Sequence, residues 1–152
     1  MIEEGRAMYC HILIALNQSA SAHRALHRAI RLAATFNATL TAVAVTPSLP
    51  LYAAYASALG AEPRQIMESD QRALSADLLE MARKEAKQHD IEIQTVLSSG
   101  SVTVSLFEVV RMKHIDLLVL GIHPNHNLPE WLSSSTAHEL AEGATCDVLG
   151  VH

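Results

Sequence analysis

Residues Ile115-Asp116-Leu117-Leu118-Val119-Leu120-Gly121 form an apolar run that stops on a glycine, and a polar loop carries the chain on to Ser133-Ser134-Ser135-Thr136. A helical stretch follows, and Cys146-Asp147-Val148-Leu149-Gly150-Val151 reads as a closing strand. The order is strand, loop, helix, strand. A serine-rich helix start presents backbone N–H groups that have no intrahelical partner, at the positive end of the helix dipole, which suits a phosphate. Pro124, inside the loop, has no N–H to offer.

Five short apolar runs in all, at 11–16, 38–45, 91–97, 115–120 and 146–151, alternate with helical patterns. In the first helix Ala22, Ala25, Leu26, Ala29, Ile30 and Ala33 repeat at helical spacing, with Arg24, Arg28 and Arg31 mostly off that stripe. Leu74, Leu78, Met81 and Ala82 give the second helix its apolar face, and Glu80, Arg83, Lys84, Glu85 and Lys87 its wet one. Val102, Leu106, Val109 and Val110 do the same for a third. A fourth, from about 135 to 142, carries Ala137, Leu140 and Ala141 and stops at Gly143, the residue type that favours a left-handed C-terminal cap. Near-continuous apolar strands joined by helices predict an α/β fold: a doubly wound, five-stranded parallel sheet with about four helices, as one domain over 1–152 with its core from about 9 to 152. Ligands of such sheets sit outside the carboxyl ends of the strands. Those ends are Asn17-Gln18-Ser19, Val45-Thr46, Ser98-Ser99-Gly100 and Gly121-Ile122-His123.

With 152 residues the chain can bury roughly 68–70% of its unfolded surface without disulfide or metal staples. A net charge of -5 argues against nucleic acid or an anionic membrane as partner. The acidic start, Met1-Ile2-Glu3-Glu4-Gly5-Arg6, precedes only a short apolar run, so neither a signal peptide nor a membrane span is expected and a cytoplasmic location follows. Cys10 and Cys146 have no C-x-x-C spacing and are expected to act as small buried apolar residues. The segment 46–63, with Leu51-Tyr52-Ala53-Ala54-Tyr55, is too apolar for a linker. It reads as a loop with a helical turn packed on the domain, or as a lid or partner surface.

The first strand turning at Ala15-Leu16-Asn17-Gln18-Ser19, together with Asp116-Leu117-Leu118-Val119-Leu120-Gly121, resembles the universal stress protein family. Ala38-Thr39-Leu40-Thr41-Ala42-Val43-Ala44-Val45 is similar to that family's second strand, and residues 146–151 to its terminal one. The resemblance runs from about His11 to the end. ATP-binding members carry Gly, two residues, Gly, nine residues, Gly and then Ser or Thr after the fourth strand. Here those positions hold Gly121, Pro124, Ser134 and Ser135, and the acidic residue that usually ends the first strand is Asn17. The resemblance implies a homodimeric binding module of the stress response, with ATP or AMP held at Ala15, Leu16, Asn17, Val45, Gly121, Ser134, Ser135 and Thr136. Proline at 124 removes one donor. Hydrogen bonds to charged groups contribute about 1.5–3 kcal/mol, so triphosphate binding is expected to weaken roughly ten- to hundredfold. Ser134 keeps its N–H but adds a Cβ, and Asn17 lacks the charge that helps hold Mg²⁺. The alternatives are an interaction module that binds no nucleotide, using Tyr52 and Tyr55, and a weak ATPase.

Other constellations are weaker. His23 and His27 lie i, i+4 on the first helix, and His123 and His126 flank Pro124, a set that could hold zinc. No cysteine or HExxH context supports it, and no metal is expected. No G-x-S-x-G elbow accompanies the serines. Asn17 and Ser98-Ser99 stand where a phosphoacceptor receiver domain carries acids, and 4% aromatic residues leave few rings to stack on a flavin. Trp131 reads as a plug over the sheet's rim or as a filler of nucleotide space. The last strand should be an edge with unpaired backbone groups, and pairing with its twin would satisfy them. The resemblance implies a homodimer through the same edge.

Overall fold

The computed structural model of the chain describes residues 7–47, 63–122 and 134–152. Its elements are β1 (His11–Leu16), α1 (Ala20–Phe36), β2 (Thr39–Pro47), α2 (Pro63–Gln88), β3 (Ile93–Gly100), α3 (Val102–Met112), β4 (Leu117–Gly121), α4 (Ser134–Gly143) and β5 (Asp147–Val151). All pairings are parallel, and the strand order is β3-β2-β1-β4-β5. Among the described residues the expected five-stranded, doubly wound parallel sheet with four helices is therefore the observed one. The segment 48–62 with Tyr52 and Tyr55, and the loop 123–133 with His123, Pro124, His126 and Trp131, lie outside the described residues.

From β1 the chain winds outward through β2 to β3, then crosses back to β4 and continues to β5. Each half covers a different face. Ile12, Ile14, Leu16, Leu40, Ala42 and Val119 pack with the buried stripes of α1 and α2. Leu13, Val43, Leu118 and Leu120 pack with Leu106 and Val109 of α3 and Leu140 of α4. Alternate strand residues serve opposite layers, which is why the strands read as unbroken apolar runs.

α1 begins where Ser19 caps it: the residue is extended (φ −74°, ψ 151°) and its Oγ accepts from the Ala22 N–H at 3.1 Å. It ends at Asn37, whose left-handed conformation (φ 52°) Asn tolerates, with the Ala38 N–H donating to Ala33 O at 2.9 Å. Its buried residues are the predicted stripe plus Ser21.

Four expectations need correction. The inner face of α2 is Ser75, Leu79, Ala82 and Ala86, with Leu78 and Met81 half-buried and Leu74 exposed, so the stripe is rotated by one position. Ser75 is affordable there because the Thr46 hydroxyl donates to its Oγ at 3.3 Å. Gly143 takes no left-handed turn: it is the last helical residue, and an added Cβ would come 2.7 Å from the Phe107 ring, so it makes room for α3. Ala141 is exposed, and the inner face of α4 is Leu140 with half-buried Ala137. Cys10 and Cys146 are half-buried, and burial pushes the Cys146 thiol up from its ordinary value.

Candidate functional site

The winding reverses between β1 and β4. The two strands pair through Ile12 with Leu117, Leu13 with Leu118 and Ile14 with Val119. Beyond that register the chain leaves β1 for α1 on one face and β4 for α4 on the other, and a crevice opens at the carboxyl ends of the strands.

This crevice is shallow: about 50 Å³ of it is free space within the protein, and the rest of its roughly 560 Å³ opens to solvent. Ala15, Leu16 and Asn17 from the end of β1, Val43 and Val45 from β2, and Leu120 and Gly121 from β4 form its floor. Val102 and Leu106 of α3 and Thr136, Ala137 and Leu140 of α4 form its wall. Ala15, Leu16, Asn17, Val45, Gly121 and Thr136, all expected from sequence, thus come together around one cavity. Ser134 and Ser135 are the first two residues of α4, whose next residue lines that cavity.

Sequence reading did not single out Val43, Val102, Leu106, Leu120, Ala137 and Leu140. Val43 was within reach, because β2 turns every second residue to the same face. Helix residues that contribute to the core and the crevice together carry no separate signal.

Two positions gain a specific physical role. The Asn17 side chain closes a turn: its Oδ1 accepts from the Ser19 N–H at 2.8 Å, setting Ser19 to cap α1. At Gly121 the backbone is not left-handed, so the glycine is not there for its φ. A Cβ would overlap Ala22 N and lie 2.5 Å from Ser21 C and 2.8 Å from Ser21 O. Bare backbone at Gly121 lets β4 meet the first turn of α1 directly.

Electrostatically the crevice is plain. Among the described lining residues none is charged, and the polar side chains are those of Asn17 and Thr136. A mostly apolar lining with few polar groups is the usual composition of a small-molecule site. The start of α4, the positive end of that helix's dipole, lies beside the crevice.

At the opposite end of the sheet, Asp116 accepts the backbone N–H of Cys10 at 2.8 Å and of His11 at 3.2 Å, tying the start of β4 to the start of β1. Its role in this structure is to fasten the sheet.

Fold and crevice together define a doubly wound α/β domain with an opening at its switch point. The chain belongs to the universal stress protein family: that family's sequence profile matches residues 8–152. The chain is 32% identical over 146 residues to universal stress protein A homolog 1 of Coxiella burnetii, covering 94% of this chain and 96% of that one. Among solved structures it is similar to a universal stress family protein from Burkholderia pseudomallei (27% identity, TM-score 0.74, 95% and 97% of the two chains). It is also similar to a universal stress protein in complex with cAMP (25% identity, TM-score 0.66, 95% and 97% of the two chains). Among the described residues no helix is long and apolar enough to cross a membrane.

Proposed function

We propose that this chain is a nucleotide-responsive binding module of the stress response, which takes an adenine mononucleotide in the crevice at the β1–β4 switch point. The observation that carries the reading is the convergence of Ala15, Leu16, Asn17, Val45, Gly121 and Thr136 on one cavity beside the start of α4. The similar protein solved with cAMP supports an adenine nucleotide as the ligand class. The base is assigned to the apolar slot between Val45 and Leu106, and the phosphate to the end near Gly121 and the start of α4, where the helix dipole favours an anion.

A monophosphate is favoured over ATP. Pro124 removes a donor that a longer phosphate chain would use, and Asn17 replaces a carboxylate that would help hold Mg²⁺. Binding is favoured over hydrolysis, because none of the described residues lining the crevice can act as a general base. Titration calorimetry with AMP, cAMP and ATP tests the reading: AMP should bind one per chain and at least about tenfold tighter than ATP. A clear preference for ATP, or slow phosphate release from it, would overturn the ligand assignment.

The assembly is a homodimer through β5. That strand pairs only with β4, leaving one backbone edge without a partner among the described residues, and an exposed edge is a template for a second copy. Gly150 makes room for Ile122 of its own chain, since an added Cβ would fall 2.8 Å from Ile122 Cγ1. Light scattering after size exclusion should give twice the chain mass at micromolar concentration. A monomer there would count against edge pairing.

A further inference from the structure

His23 and His27 stand one turn apart on α1, and their Nε2 atoms are 3.2 Å from each other. Across from them, Glu85 of α2 places Oε1 3.4 Å from His23 Nε2 and Oε2 3.0 Å from His27 Nε2. Sequence spacing joins the two histidines but says nothing of Glu85, which looked like part of a wet face. In the structure its side chain is 19% exposed.

Three features of this trio are hard to account for as an ordinary ion pair. Glu85 Oε2 is shut off from solvent, and among the described residues it accepts no hydrogen bond. A buried acceptor in that state is uncommon and calls for a missing partner. No described Lys or Arg pairs with Glu85, whose charge is met only by the two rings. Arg24 donates instead to the His152 carbonyl at 2.8 Å, and Arg83 to Glu80 and Thr95. Finally, two imidazole nitrogens crowd together where only one proton fits between them.

A single cation resolves all three. We propose that His23, His27 and Glu85 form a Zn²⁺ site that clips α1 to α2. Zinc–ligand bonds of about 2.0–2.1 Å put neighbouring ligand atoms of a tetrahedral site roughly 3.3–3.4 Å apart, and the observed separations of 3.0, 3.2 and 3.4 Å approach that triangle before any adjustment. Two nitrogens and one carboxylate select zinc and its transition-metal neighbours over Mg²⁺, which prefers an all-oxygen shell. The rings are about half exposed, at 45% and 49%, so water completes the fourth position. The site lies on the α1–α2 face, whereas α3 and α4 wall the crevice, so its ion is not part of nucleotide binding. It anchors the first half of α1, the helix whose start packs against Gly121.

The test is calorimetric titration of the chelator-stripped, untagged full chain with Zn²⁺ alone, then with Mg²⁺ alone, beside thermal unfolding in each ion. The wild type should bind one Zn²⁺ per chain, ignore Mg²⁺, and gain roughly 5–10 °C in Tm at about a hundred times its Kd. His23→Ala, His27→Ala and Glu85→Gln should each lose at least about tenfold in affinity together with the Tm gain. Their circular dichroism should stay native, as the histidines are exposed and Gln keeps the shape of Glu. His138→Ala, which alters a surface pair with Glu142, should bind like the wild type. No saturable Zn²⁺ binding, or binding that survives His27→Ala and Glu85→Gln unchanged, would overturn the site. AMP titration of the same variants is independent, so failure here leaves the crevice reading separately testable.

Discussion

Replacing Gly121 by alanine would drive one methyl group into the first turn of α1. The new carbon would overlap Ala22 N and sit 2.5 Å from Ser21 C and 2.8 Å from Ser21 O, where side chains do not approach backbone. Those atoms belong to a capped, buried helix start: Ser21 and Ala22 are almost wholly inaccessible, and Ser19 Oγ holds the Ala22 N–H. No flexible side chain can yield, so β4 or α1 must move. Overpacking a rigid site costs about 1–3 kcal/mol, and a backbone obstacle places this case near the top of that range. At roughly 2–4 °C per kcal/mol for a chain this size, Tm should fall by about 6–12 °C. Urea unfolding with an unchanged m-value is the assay. Gly100→Ala provides the contrast: φ is +107° there and nothing lies within 4 Å, so its cost, about 1–2 kcal/mol, is purely conformational. Were Gly121→Ala as stable as wild type within about 0.5 kcal/mol, the close approach of β4 to α1 would be refuted.

Two further outcomes follow from the lower end of the sheet and its edge. Asp116→Ala strips the acceptor from the Cys10 and His11 N–H groups and should destabilise the chain by about 1–3 kcal/mol in urea titration, with Asp116→Asn, which keeps one carbonyl oxygen, losing less. The Tyr9 hydroxyl donates to Asp147 Oδ2 at 2.9 Å, and that bond, with burial and the Asp147 charge, raises its pKa above the ordinary 10.0. The folded state then holds the proton more tightly than the unfolded one, so this contribution is complete below about pH 10 and fades as pH rises through the raised value. Stability measured between about pH 9 and 11 should decline more steeply in the wild type than in Tyr9→Phe; equal slopes would remove the linkage.

How much of this was legible in the sequence depends on which force decided each element. The α1 stripe was readable because its inner face is Ala, Leu and Ile at helical spacing, with arginines elsewhere. The α2 stripe was misplaced because hydrophobicity favours Leu74, whereas the structure buries Ser75, whose hydroxyl is satisfied by Thr46 on a distant strand. Ser105 repeats the lesson: it is buried in α3 because Ser98 donates to it from β3 at 3.1 Å. A partner that only folding supplies leaves no local trace. Gly143 looked like a helix stop, yet it yields space to Phe107, as Gly150 does to Ile122. Strand ends announced much of the crevice floor, since β1 runs straight into Asn17 and β4 stops on Gly121. Glu85 was illegible for the same reason as Ser75, its partners lying on another helix.

The most direct measurement is AMP titration of the wild-type chain beside Val45→Trp, whose ring would fill the crevice from its half-buried floor. Saturable binding of one AMP per chain, lost by at least about tenfold in a Val45→Trp protein of native circular dichroism, is the expected result. No binding at millimolar AMP, or equal binding by the two proteins, would contradict a nucleotide site at the β1–β4 switch point.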